Sequence, residues 1–212
     1  MGAVTEAWIR IEDWLRQHSP GAFGKLAGPA GSAAITAAQE RLGVTFPVEL
    51  VESLRRHDGL TEWVCFFPEQ EPLSLDQIVE FYEIRMDVAE DVDGFETHSP
   101  NDEPWWSPQW FPFGGYDGDL QVVDARPGVG QGRLGLAPNS SGGDFSAAYP
   151  SLGAYLTVVA DAFEAGGAVG VWHLYFAADG EIWWDQAGKT ELNGEPLRPA
   201  HHVRPGMEPG HA

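Results

Sequence analysis

Residues Trp105 to Asp124 read WWSPQWFPFGGYDGDLQVVD, with aromatic side chains, two prolines, a glycine pair and a run of acids in close order. Trp110, Phe111 and Phe113 flank Pro112, which fixes its own φ and has no backbone donor. The stretch is therefore extended rather than helical. Gly114-Gly115 and Asp117-Gly118 mark turns. Leu120-Gln121-Val122-Val123-Asp124 then has the β-branched content and bounded length of a strand in a sheet. An aromatic-Pro-aromatic segment leading into an apolar strand predicts that Trp110, Phe113 and Val122 are buried.

Upstream of this stretch the periodicity is helical. Thr5 is a candidate N-cap, with Trp8, Ile11 and Leu15 on one face until Ser19-Pro20-Gly21. Ser32 opens a second helix that Gly43 stops, and Pro47 opens a third that closes at Gly59, with Leu50, Val51 and Leu54 inward. Trp63 to Phe67 reads as a strand. Ser74 and Gln77 form a capping box for a helix whose apolar face is Leu75, Ile78, Val79, Tyr82 and Met86. Asp87, Glu90, Asp91 and Asp93 at its far end oppose the helix dipole, which places some of them beyond the last turn. A polar loop runs from Gly94 to Pro108.

Downstream, Leu134 to Ala137 pairs back as a further strand, and Asn139 to Asp144 is a loop. Ser151 starts a helix carrying Leu152, Tyr155, Leu156, Val159 and Phe163, which Gly166-Gly167 ends. Val171 to Phe176 and Glu181 to Trp184 flank Asp179-Gly180, a hairpin signal. From Ala187 large apolar residues are few, so 187–212 reads as a flexible tail behind a single domain spanning 1–186.

Three of these segments together resemble the SMI1/KNR4 (SUKH) family. The first is Leu42-Gly43-Val44 with Phe46-Pro47 and a helix ending His57-Asp58-Gly59; the second is Trp110, Pro112 and Phe113 with Gly118-Asp119 and a strand ending at Asp124; the third is Ser151-Leu152 with Tyr155-Leu156. The resemblance covers roughly residues 5 to 165, in the family's order. Phe46, Asp58 and Leu152 depart from the family's usual Leu, Asn and Phe. It implies an α+β fold, helices packed on a mainly antiparallel sheet, to which the C-terminal hairpin is added. For bacterial members it implies immunity proteins that neutralise toxins, many of them nucleases; for fungal members, regulators of cell-wall synthesis.

Composition narrows the function independently. Asp and Glu number 32 against 12 Lys and Arg, a net charge of −20. Nucleic acid is a poor ligand for such a chain, because phosphate binding relies on Lys and Arg displacing counterions. A basic protein partner suits it, as does the plainer role of keeping the chain soluble. Cys65, the only cysteine, lies among Trp63, Val64, Phe66 and Phe67 and reads as a buried small hydrophobe. Gly153 to Trp172 is apolar, yet Asp161 and Glu164 interrupt it, and the first residues lack the pattern of a leader. The expectation is a cytoplasmic protein with no membrane span.

No motif with the spacing of a catalytic or metal centre is found. Asp117, Asp119 and Asp124 sit in or beside a turn without the repeat of a calcium loop, and GVGQG at 128–132 lacks the lysine and helix of a phosphate loop. His201-His202 is an adjacent pair with no further ligand in sight. The reading is a non-enzymatic binding protein that needs no cofactor. The residues expected to bind a basic partner are Glu69, Glu71, Asp87, Glu90, Asp91, Asp93, Asp102 and Glu103, gathered in two turn-like stretches. Rival readings are a hydrolase using the loop acids and a carbohydrate-binding module using Trp105, Trp106 and Trp110 as a stacking platform.

Overall fold

A computed structural model describes residues 2–97, 99 and 102–200 of the chain. The first half is helical: α1 (Ala3–His18), α2 (Pro20–Gly24), α3 (Ser32–Leu42) and α4 (Val48–Leu54) precede a two-residue strand β1 (Glu71–Pro72) and α5 (Leu75–Asp91). Strands β2 (Trp110–Tyr116), β3 (Asp119–Asp124), β4 (Leu134–Ala137) and β5 (Asp144–Tyr149) follow, then α6 (Leu152–Ala165). The remainder is β6 (Ala168–Val169), β7 (Trp172–Phe176), β8 (Ile182–Gln186), β9 (Glu191–Leu192), β10 (Glu195–Pro196) and β11 (Arg198–Pro199).

β1 to β5 form one antiparallel sheet in sequence order, with β3 at its centre between β2 and β4. Pro112 lies opposite Val122, and the register shifts between Pro112 and Gly114. A bulge is the accommodation a central strand needs for a residue without an N–H. The bulged Phe113 is not wasted, because its carbonyl accepts the Leu73 N–H at 2.9 Å. Trp110 and Val122 are fully buried and Phe113 nearly so, as the aromatic-Pro-aromatic pattern predicts.

The helices cover this sheet. Trp8, Ile11 and Leu15 of α1 and Leu156, Val159 and Phe163 of α6 belong to the same apolar cluster as Phe113 and Val122. Arg10 ties the outer edges of α1 and α6 together through Asp161 and Glu164. The capping box is formed as predicted, with the Gln77 N–H donating to Ser74 and the Ser74 N–H to Gln77. Gly43 and Gly166 close α3 and α6 with positive φ, the conformation that favours glycine.

A second sheet is built on β7. It pairs along its length with β8, and on its other side with β6 at its start and β11 at its end. Its apolar face joins the main core: Trp14 stacks on Phe176, Phe163 meets Trp184 edge-on, and the Trp184 indole donates to the Phe66 carbonyl at 3.0 Å.

Several sequence expectations are corrected. Trp63 to Phe67 is not a strand, although Val64, Phe66 and Phe67 are buried. Its backbone bonds to side chains instead of a ladder, the Phe66 N–H to Glu71 and the Phe66 carbonyl to Trp184. α4 ends at Leu54 rather than running to Gly59. Beyond it, Arg56 and His57 both turn onto the buried Glu12, and the Leu75 N–H donates to Asp58. α1 begins at Ala3 with Gly2 as its N-cap and no side-chain cap, and Thr5 lies within the first turn, where its N–H and hydroxyl donate to Glu52. Where composition suggests a tail from 187, residues 187–200 carry β9, β10 and β11 and bury Leu197 and Ala200. The late strand is recruited by β7, whose free edge is invisible to local composition. Residues 201–212, including His201-His202, lie outside the described residues. Among the described residues no helix is long and apolar enough to cross a membrane.

Candidate functional site

The eight predicted carboxylates separate into four groups. Asp87, Glu90 and Asp91 are exposed in the last turns of α5, and their spacing puts them on one side of the helix. Only Asp93 of that series lies beyond the helix, in a left-handed turn at φ 54°. Asp102 is exposed and Glu103 half-buried at the end of the loop that follows. Glu69 is exposed on a separate part of the surface, where it accepts the Trp172 indole N–H at 2.8 Å. Glu71 is half-buried and turned inward. It accepts the Phe66 N–H at 2.8 Å, and burial pushes its carboxyl up to about 8. As a ligand for a basic partner Glu71 is therefore a correction: its role is to satisfy the segment that fails to become a strand.

The tertiary fold brings part of the series into one open cleft of about 760 Å³. Asp93, Glu96, Asp102, Glu103 and Asp144 line it, with Trp105 and Phe145 as apolar walls and Arg133 as the one basic lining residue among the described residues. Arg133 is already compensated. It donates to Glu103 at 2.7 Å and to Asp124 at 3.0 Å, while Arg126 donates to Asp124 at 2.7 Å and bridges Glu103 at 2.8 Å. Burial pushes both carboxyls up, but the two guanidiniums outweigh it and hold Asp124 and Glu103 below the ordinary carboxylate range. The four groups form a neutral floor, and among the described residues Asp93, Glu96, Asp102 and Asp144 have no ion-pair partner.

Glu96 and Asp144 are the members that sequence reasoning missed. Glu96 was within reach of it, since it lies in the same acidic stretch as Asp93 and Asp102. Asp144 was not, because it reaches the cleft only through the pairing of β5 with β4. Ser146 donates to Asp144 from its hydroxyl at 2.6 Å and its N–H at 2.8 Å, and these bonds hold the carboxyl below its ordinary value. Among the described residues no group of three His, Cys, Asp or Glu is close enough to hold a metal ion.

Two of the acids considered for chemistry have structural partners, and the third sits in a turn. Asp119 accepts the Asn139 N–H at 2.7 Å, Asp117 occupies a left-handed turn at φ 49°, and Asp124 is closed in by Arg126 and Arg133. Nor do the three tryptophans form a platform. Trp106 and Trp110 are fully buried and pack edge to face at 5.8 Å. Trp105 is half-buried, with its indole N–H donated to the Asn139 carbonyl and Arg85 4.5 Å above its ring. Sequence spacing brought them together, but the strand and the core claimed them first. Cys65 is half-buried against the core, and desolvation pushes its thiol up to about 12.

The comparisons with known proteins bear on this arrangement as a whole. The model of the SMI1 / KNR4 family (SUKH-1) matches residues 29–165, from the loop before α3 to the end of α6, which includes every cleft residue. A KNR4/SMI1 homolog of Kluyveromyces lactis is 33% identical over 94 residues, 41% of this chain and 17% of that protein. A KNR4/SMI1 homolog of Eremothecium gossypii is 38% identical over 53 residues, 25% of this chain and 8% of that protein. The cell wall assembly regulator SMI1 of Saccharomyces cerevisiae is 30% identical over 92 residues, 41% of this chain and 18% of that protein. The chain thus spans less than a fifth of the length of the curated relatives it matches.

Proposed function

The chain belongs to the SMI1 / KNR4 family (SUKH-1), and from that premise we propose that it is a non-enzymatic protein-binding module whose partner is a basic protein. The observation that carries this is the convergence of Asp93, Glu96, Asp102 and Asp144 above a neutralised floor, continued by Asp87, Glu90 and Asp91 on α5. Like charges spaced three and four residues apart on a helix destabilise it slightly, and carboxylates at a helix C-terminus oppose its dipole. A cationic surface set against them relieves both. The specific form proposed is an immunity protein neutralising a nuclease-type toxin, because a nuclease presents a basic face to its phosphate substrate and an acidic cleft can occupy that face. Nucleic acid itself is the wrong ligand for a surface of this sign.

A second reading follows from the relatives. The Saccharomyces cerevisiae protein is named as a cell wall assembly regulator, so the same acidic surface would serve here as a docking site in a regulatory assembly. The two readings share the basic partner and differ in what it is. Co-expression with the product of a neighbouring toxin gene distinguishes them: rescue of growth supports immunity, and unrelieved killing removes it.

The shared claim is tested by kinetics. Reversal of Asp87, Glu90, Asp91 and Asp102 to Lys should slow association with the partner by about tenfold or more at low salt and flatten its salt dependence, while leaving the fold intact. All four are exposed. Association indifferent to both salt and charge reversal would reduce the acidic surface to a solubility device.

A further inference from the structure

α5 buries Leu75, Ile78, Val79, Tyr82 and Ala89 against the rest of the fold. The outer side of such a helix is ordinarily polar, yet Ile84, Val88 and Val92 are 48%, 38% and 60% exposed. They recur at four-residue intervals, and the Val92 N–H still donates to the Val88 carbonyl at 3.1 Å. The three therefore form one row, about 12 Å long, on the helix surface. Single exposed apolar residues need no explanation, but a row does. All three are β-branched, which lowers helix propensity, so neither the core nor the helix itself calls for them here. Val92 also lines the acidic cleft beside Trp105, so the row runs from the middle of α5 into that cleft.

The charge alongside the row is of one sign. Asp87 and Asp91 follow Ile84 and Val88 by three residues, and Glu80 precedes Ile84 by four, which makes the acids surface neighbours of the row. All three are exposed. The one basic residue of α5, Arg85, is buried and donates to the carbonyls of Gly118 and Ala137.

An apolar ridge of this spacing, edged by carboxylates, is the complement of a second helix whose own ridge is edged by Lys or Arg. Ridges of one helix seat in the grooves of another, and opposite charges fix the register. We propose that this row docks an amphipathic helix of the basic partner, its apolar residues at i, i+3 or i+4, and i+7 covering Ile84, Val88 and Val92, and its Lys or Arg residues facing Asp87 and Asp91. One end of that helix then reaches Val92 and Trp105 at the cleft, so the acids steer the partner and the apolar row holds it. A second copy of this chain suits the row poorly, because it would set Asp87 and Asp91 beside the carboxylates of another α5 and join two chains of net charge −20. The partner's charge rests on the reading proposed above, whereas its helical apolar face rests on this row.

Synthetic peptides of about 20 residues, long enough to hold a helix, serve as probes of the full chain. They are a Leu/Lys helix with its leucines on one face, a scrambled peptide of the same composition, and the Leu/Glu counterpart of the helix. Binding is followed by fluorescence anisotropy of labelled peptide at about 0.15 M salt, where long-range charge effects are damped. The Leu/Lys helix should bind with Kd on the order of 10 μM, at least about tenfold tighter than the scrambled peptide. Ile84→Ser combined with Val88→Ser should weaken the helix by about tenfold or more and leave the scrambled peptide unaffected. Serine matches isoleucine and valine in helix propensity, and circular dichroism checks that the fold is kept. No binding by the Leu/Lys helix, equal binding by the scrambled peptide, or indifference to the serine pair would overturn the docking row without touching the salt-steered association. A Leu/Glu helix that binds as tightly as its Leu/Lys counterpart would overturn the charge match, and the basic-partner reading with it. Dimerisation of the wild type in sedimentation equilibrium, abolished by the serine pair, would assign the row to a second copy and overturn the proposal.

Discussion

Replacing Glu71 by glutamine should make the protein's stability less dependent on pH. The wild-type carboxyl is turned inward and its pKa is raised from an ordinary 4.5 to about 8, desolvation outweighing the N–H donors of Phe66 and Phe67. The folded state therefore holds a proton that the unfolded chain has already released. Stability contributed by that proton is fully present below about pH 4.5 and declines as pH rises, until the folded carboxyl also ionises near pH 8. Each pH unit of displacement corresponds to ~1.4 kcal/mol, so the loss across the interval approaches ~5 kcal/mol at most. Glu71 keeps some contact with solvent, which screens part of this and places the expected loss at ~3–5 kcal/mol. Glutamine keeps an acceptor for the Phe66 N–H and cannot titrate. Urea denaturation of both proteins at a series of pH values from about 4.5 to about 9 isolates the effect, since every other titrating group is common to the pair. The wild type should lose stability relative to the variant as pH rises. Curves that run parallel, or a carboxyl carbon-13 titration with an ordinary midpoint, would refute the assignment of Glu71 as a neutral structural acid.

Two further outcomes test the core and the floor of the cleft. Trp110→Ala should cost ~3–5 kcal/mol in denaturant unfolding, because the ring is fully buried against Trp106 and Phe145. An unchanged midpoint would remove the central strand pair from the core. Asp124→Asn should destabilise by ~2–4 kcal/mol near neutral pH, since it strips Arg126 and Arg133 of a buried counter-charge. Asp124 is held below its ordinary value, so this difference should be full above about pH 4 and shrink as the wild-type carboxyl protonates at lower pH. A stability difference that persists unchanged into acid would mean that the ion pairs contribute little.

Local chemistry made several elements legible in the linear chain. The capping box of Ser74 and Gln77, the stop at Gly43 and the helical spacing from Leu152 to Phe163 act within one or two turns, and each appears as read. The aromatic-Pro-aromatic entry to the central strands and the turn between β7 and β8 belong to the same class. Errors arose where a distant group replaced a local one. Trp63 to Phe67 has the composition of a strand, but Glu71 and Trp184 supply its hydrogen bonds, so no ladder forms. Thr5 is a sound cap by type, yet Glu52 takes its donors from 47 residues away.

For the site, the sequence by itself determined the sign of the surface and the acidic stretch at the end of α5, because charge is a property of composition and runs of acids stay solvated wherever the fold puts them. It could not decide which carboxylates remain available. Glu71 became an inward-turned structural acid and Glu103 a partner of two arginines, while Asp144 arrived in the cleft from a strand more than 40 residues downstream of Asp102. Whether a carboxylate is free, paired or neutral depends on burial and on neighbours brought up by strand pairing. Those are long-range quantities, and only the tertiary structure fixes them.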